Sequence, residues 1–281
     1  MPQSLLFPRV SIAFLLLLMA GCAQAAVVAP TPVTVTIAGS TEMRPVLDEL
    51  TAAYSERHPH ILFSLRGGGS ILGEVWLENE QVDLAASTAF PGAEETDDEF
   101  MRIPVGFDGV AVIVHRDNPV TALTLAQLRA LYSGRLLEWQ SVGGDGGDIV
   151  LVSREDGSAT RMLFEARVMD GEEVALTAVV MPSSADVVAY VAEHPNAIGY
   201  VSRAYVMADG ALSGETPPVG VVALEARLPT PVEITAQRYY LTRPLFLLRR
   251  TADTARLQPF IDFVLSPAGQ EIVARYHVPI R

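Results

Sequence analysis

Three times in this chain a strand-like run ends in a small-residue turn and passes at once into a helical pattern. Residues 33–38 are β-branched and alternate, then Gly39-Ser40-Thr41 leads into 44–57, where Val46, Leu47, Leu50, Ala53 and Tyr54 recur at helical spacing. Residues 60–65 read as a strand, and Gly67-Gly68-Gly69-Ser70 opens a helix through Trp76. Residues 148–152 read as a strand, and Arg154-Glu155-Asp156-Gly157-Ser158-Ala159-Thr160 opens a helix through Val168. Further strands are expected at 82–87, 103–114 and 197–201. Further helices are expected at 125–132, 185–192 and 259–276, the last broken near Ser266-Pro267. Strands alternating with helices specify an α/β fold with mostly parallel sheets flanked by helices.

Composition narrows the function. Of 281 residues 49% are apolar and 19% charged, enough to bury a core. Acids outnumber bases, 33 to 20, for a net charge of −13. Such a surface excludes the basic footprint that duplex nucleic acid requires, and it opposes binding to anionic lipid. All 20 basic residues are arginine, so lysine Schiff bases and the P-loop lysine are absent. Cys22 is the single cysteine, which excludes an intramolecular disulfide and a cysteine metal cluster.

The N-terminus reads as an export signal: Arg9, an apolar run over 10–19, then Ala20-Gly21-Cys22-Ala23-Gln24-Ala25. Leu18-Met19-Ala20-Gly21-Cys22 is similar to a bacterial lipobox, with residues 1–21 removed and Cys22 lipidated. Met19 departs from the usual leucine. Cleavage after Ala25, or an uncleaved anchor, are the alternatives. Each places the folded part outside the cytoplasm, with 22–32 as a tether containing Pro30 and Pro32.

The three loops carry the chemistry. A helix N-terminus exposes N–H groups and the positive end of the helix dipole. Ser or Thr there either caps the helix or turns its hydroxyl to an anion beside those N–H groups. Ligands collect at the C-terminal ends of strands in open α/β sheets. Arg154, four residues before Ser158, is placed either to grip a tetrahedral oxyanion or to pair with Glu155 or Asp156.

Five collinear blocks then resemble one family. They are 125–134 with Trp139, residues 153–161, Ala197-Ile198-Gly199-Tyr200-Val201-Ser202, Arg243-Pro244-Leu245, and 260–270. Together they look like the phosphate-binding proteins of ABC-type phosphate uptake, a type II periplasmic-binding-protein family, over residues 33–281. The resemblance implies two α/β lobes closing on a dehydrated phosphate, delivered to membrane permease subunits. It implies anion contacts at Ser40, Thr41, Ser70, Thr88, Arg154, Ser158, Ala159 and Thr160. Ala159 stands where the family has glycine. Thr88 stands where well-known members have an aspartate that accepts the proton of hydrogen phosphate. Asp108, in Phe107-Asp108-Gly109, is either a replacement acceptor or a turn residue.

The long run at 103–114 suits a crossover between lobes. One lobe is expected from 33–112 plus 228–281, the other from 113–227. No cofactor or metal is expected. Of the histidines, His58, His60, His115, His194 and His277, none lies in a Gly-x-Ser-x-Gly context, and His58 and His60 have no local third ligand. The reading is a monomeric, non-enzymatic binding protein for phosphate or a similar oxyanion. A sensor or adhesion module on the same fold is the alternative.

Overall fold

The computed structural model describes residues 31–91, 99–206 and 218–280. The expected signal peptide (1–21), Cys22 and all but the last two residues of the tether lie outside them. The described residues from Val33 onward form one compact unit.

Among the described residues the chain builds eleven strands: β1 (Val33–Gly39), β2 (Ile61–Arg66), β3 (Leu84–Ser87), β4 (Phe100–His115), β5 (Ala122–Leu123), β6 (Val150–Arg154), β7 (Val179–Met181), β8 (Ala197–Ser202), β9 (Val219–Leu224), β10 (Thr242–Arg250) and β11 (Val278–Pro279). The helices are α1 (Arg44–Arg57), α2 (Ser70–Glu78), α3 (Leu125–Tyr132), α4 (Ala159–Phe164), α5 (Ser184–Glu193), α6 (Pro231–Thr235), α7 (Thr254–Leu265) and α8 (Pro267–Tyr276). A short π-helical turn, Glu165–Met169, extends α4 along the expected helix. Helix α7 starts five residues before Pro259 and carries that proline inside it.

Strand β4 organises the molecule. Its first part, Phe100 to Gly109, pairs antiparallel with β10, and its last part, Val110 to His115, pairs with β8 and β9. One sixteen-residue strand thus runs through both halves. Around it lie the parallel sets that the sequence predicts. On one side β1 pairs with β2 and β3, and on the other β6 pairs with β7 and β8. The antiparallel pairings come from β4, β10 and β11.

Each half has its own core. Val35, Ile37, Leu47, Leu50, Phe260 and Val264 fill the first, where α1, α7 and α8 cover the sheet. Val112, Leu128, Tyr132, Trp139, Phe164 and Tyr200 fill the second. Ile234, Tyr239 and Leu241 also belong to that second cluster. Burial of such side chains contributes about 1.5–3 kcal/mol each.

The ends of β1 and β3 meet at Gly39, with a φ of +128°. A Cβ there would stand 2.2 Å from the Ala86 carbonyl oxygen. Only glycine lets the first loop leave the sheet at this point and bring Ser40 and Thr41 to the strand ends.

Candidate functional site

The three loops meet. Gly69 N–H donates to the Gly39 carbonyl (3.1 Å), joining the second loop to the first. A Cβ on Gly69 would lie 3.2 Å from the Gly157 carbonyl oxygen, so the second loop also approaches the third. The third joins the first through side chains: Arg154 Nη2 donates to Thr41 Oγ1 (3.3 Å) and Thr160 Oγ1 donates to Glu42 Oε1 (2.7 Å). Tyr205 adds a hydroxyl bond to the Thr41 carbonyl (2.6 Å). The loops that follow β1, β2 and β6 therefore lie together at the C-terminal ends of those strands.

The local reasons are visible at each loop. Ser158 caps α4 by accepting from Arg161 N–H, leaving the N–H groups of Ala159 and Thr160 at the helix start without an intrahelical acceptor. Ser70 opens α2, and its hydroxyl accepts from Thr88 N–H (3.0 Å) and lies 3.3 Å from Thr88 Oγ1. Ser40, Ser70, Thr88, Ser158, Ala159 and Thr160 are all buried.

Two buried guanidiniums and two buried carboxylates form the electrostatic frame. Arg154 Nη1 donates to Glu42 Oε1 (2.7 Å) and to Ser184 Oγ (3.2 Å), while its Nε and Nη2 grip Glu155 at 2.9 and 3.0 Å. Ser40 Oγ donates to Glu42 Oε2 (2.6 Å). Burial pushes the Glu42 pKa up, but the charges of Arg243 and Arg154 and the Ser40 bond outweigh it. The carboxyl is held well below its ordinary range.

Asp108 lies directly opposite Arg243 in the β4–β10 register. Its Oδ2 accepts from Arg243 Nε (3.1 Å) and Nη2 (2.8 Å), and its Oδ1 accepts from Ser202 (2.8 Å) and faces His277 Nδ1 (3.3 Å). Burial raises its pKa and the Arg243 charge, with His277, lowers it to a net depression. Arg243 Nη1 then donates to Thr160 Oγ1 (2.9 Å), so Thr160 bridges Arg243 and Glu42. The arrangement presents hydroxyls and helix-start N–H groups with little surplus charge, a chemistry suited to a desolvated oxyanion.

The family model of the PBP superfamily domain matches residues 25–268. The chain belongs to the PBP superfamily. Its relatives in that superfamily include the phosphate-binding protein PstS of Bacillus subtilis (strain 168), 29% identical over 178 residues. That alignment covers 63% of this chain and 59% of the relative, so the chain spans less than two thirds of that protein's length. Among solved structures, a Clostridium perfringens substrate-binding protein assigned to phosphate ABC transport, with bound phosphate, superposes with a TM-score of 0.81. It is 29% identical, with 89% of this chain and all of that one covered. An ABC-type phosphate transport receptor from Vibrio cholerae superposes with a TM-score of 0.69 at 29% identity, covering 87% of this chain and 99% of that one. The two-lobed α/β fold is that of these PBP-superfamily structures.

Against this frame, two sequence expectations change. The fork of Arg154 is occupied by Glu42 and Glu155 rather than open, so the pairing with Glu155 is the one the structure shows, with Glu42 as a second partner. Asp108 is not a free acceptor: four donor atoms surround it. A carboxylate has about four lone-pair sites, so its capacity is filled.

Glu42, Ser184 and Tyr205 carry no site signal in the sequence, and Arg243 is marked there only as part of a resemblance block, not as a site residue. Glu42 reads there as a helix-start acid, favourable to the dipole. Arg243 carried a signal, an arginine within an apolar strand-like run with no lysine anywhere to take its place.

Proposed function

We propose that this chain is the extracytoplasmic solute-binding protein of an ABC importer and captures inorganic phosphate or a closely similar oxyanion. One observation supports the reading: three strand-to-helix loops approach one another, the second bonded to the first between Gly69 and Gly39, and the third to the first through Arg154–Thr41 and Thr160–Glu42. The relatives named as phosphate-binding support the choice of anion. In this reading the hydroxyls and N–H groups hold the anion directly. Arg154 acts from beside it, and Asp108 holds Arg243 in place.

The protein's role is binding and delivery, with no catalytic step. Permease subunits are its partners, it works as a monomer, and Cys22 anchors it to the membrane. Among the described residues no helix is long and apolar enough to cross a membrane. Two lobes, 33–112 with 228–281 and 113–227, belong to the same proposal. The packing of Ile234, Tyr239 and Leu241 in the second core supports drawing the return crossing nearer 241.

Calorimetric titration of the purified full chain with phosphate, arsenate, sulfate and molybdate tests the function. Saturable one-to-one phosphate binding is expected. No phosphate binding at millimolar concentration would overturn the reading.

A further inference from the structure

We infer that the cavity between the two halves beside Arg243 is a second binding site, and that it takes a small aryl carboxylate. The inference goes beyond the oxyanion reading and does not rest on it.

The exposed aromatic side chains converge on one place. Among the described residues three Phe, Tyr or Trp side chains are exposed: Phe90 (50%), Phe107 (38%) and Tyr240 (42%). All three line one cavity of about 470 Å³. Its walls come from both halves. Phe90 follows β3, and Phe107 lies on the part of β4 that pairs with β10. Arg167 lies in the π-helical turn that extends α4, and Tyr240 follows Tyr239 of the second core. Exposed aromatics scattered singly are ordinary, but three on one concave wall match the lining and dimensions of a ligand pocket.

The charge of the wall selects the ligand. Acids outnumber bases in this chain, 33 to 20, yet among the described residues no Asp or Glu lines the cavity, while Arg167 and Arg243 do. Arg243 is already bonded to Asp108 and Thr160. The Arg167 guanidinium lies 5.8 Å from the centre of the Tyr240 ring, and no carboxylate among the described residues pairs with it. A guanidinium held over a ring face keeps its N–H edge available, and that edge takes a carboxylate in a paired contact. The cavity of about 290 Å³ beside α2 differs: it holds Arg102, but Glu74 occupies that fork at 3.0 and 3.1 Å.

Aromatic walls favour an aromatic guest, through offset and edge-to-face contacts that an aliphatic ring cannot make. The net charge of −13 opposes an anion only weakly, because exposed charges beyond about 10 Å are screened at ordinary salt.

Naphthoate is the probe, titrated by calorimetry into the purified full chain, with naphthylmethanol and cyclohexanecarboxylate as the neutral and non-aromatic comparisons. One naphthoate per chain is expected at millimolar affinity or tighter, about tenfold tighter than either comparison compound. Arg167, Phe90 and Tyr240 are exposed, so R167Q, F90A and Y240A leave the cores intact, and melting curves check each variant. R167Q should weaken naphthoate about tenfold and leave naphthylmethanol and phosphate binding unchanged. F90A and Y240A, one from each half, should each weaken both naphthyl compounds. Saturating phosphate should leave naphthoate bound.

No saturable naphthoate binding at millimolar concentration overturns the inference. So does equal affinity for naphthylmethanol, or an R167Q chain that binds naphthoate as the wild type does, since either removes the carboxylate from the recognition. Displacement of naphthoate by phosphate would put the probe in the oxyanion site and overturns it too. A wild-type dimer in sedimentation that F90A dissociates would show that a second copy covers this wall, which also overturns the assignment.

Discussion

Replacing Asp108 by Asn removes one charge from a pair in which both side chains are fully buried. The Asn oxygen still accepts from Arg243, and its amide can face Ser202 and His277, so the change is almost purely electrostatic. Removing one partner of a buried pair costs about 3–5 kcal/mol, because the other is left as an uncompensated buried charge. Glu42 also acts on Arg243, which places D108N at the low end, about 3 kcal/mol. For a chain of this size about 2–4 °C of melting temperature accompanies each kcal/mol, so D108N is expected to melt about 6–12 °C lower. R243M is expected to be similarly destabilised, since it leaves Asp108 charged and buried. The double variant D108N/R243M removes both charges and should lose at least 2 kcal/mol less than the sum of the singles, an interaction energy within the range of coupled neighbours. Urea denaturation of the four proteins at pH 7.5 provides the cycle. Additivity within about 0.5 kcal/mol would refute the claim that these two residues form one electrostatic unit.

The other expectations concern the loops and the acid limb. R154A should lose phosphate binding and also destabilise by about 3–5 kcal/mol, since it deprives Glu42 and Glu155 of their shared cation. R154K should recover little of either, because an ammonium cannot reproduce the fork. Wild-type affinity and stability in R154A, by calorimetry and urea melts, would contradict both. T160V removes the hydroxyl that donates to Glu42 and accepts from Arg243, at about 1–3 kcal/mol, with weaker anion binding; a neutral result would show the bridge to be incidental. G39A places a methyl group 2.2 Å from the Ala86 carbonyl at a φ of +128° and should lower the melting temperature sharply or prevent folding; wild-type melting would rule out the close approach. In the folded protein, against the upward push of burial, the Arg243 and Arg154 charges hold the Glu42 carboxyl, and the Arg243 charge holds the Asp108 carboxyl, below their ordinary values. Their stabilisation is therefore full above those values and is lost as pH falls through and below them. The acid limb of stability should flatten in D108N; an unchanged limb would show that Asp108 is not depressed in the folded state.

What the sequence determined by itself was the fold class and the position of the chemistry. Apolar spacing in 44–57 and the β-branched run before Gly39 record which face of each element is buried, and burial is a local property of the chain. The small-residue turns at Ser40, Ser70 and Ser158 mark strand ends because small residues let the chain leave a sheet and turn into a helix, and Ser158 also caps the helix that follows it. The five resemblance blocks extended that reading to the family. Strand β10 was legible only at Arg243-Pro244-Leu245, because its arginines interrupt the apolar run; it forms because Arg243 meets Asp108 across the sheet and Arg249 and Arg250 find polar partners. Tertiary structure alone decided which charges meet. Glu42 and Arg154 are 112 positions apart, and Asp108 and Arg243 are 135. Periodicity tells a residue's face but not its distant partner. Nothing local distinguishes a glutamate that caps a dipole from one that closes on a buried guanidinium. That choice was made when β4 and β10 crossed side by side and brought the two halves' loops together.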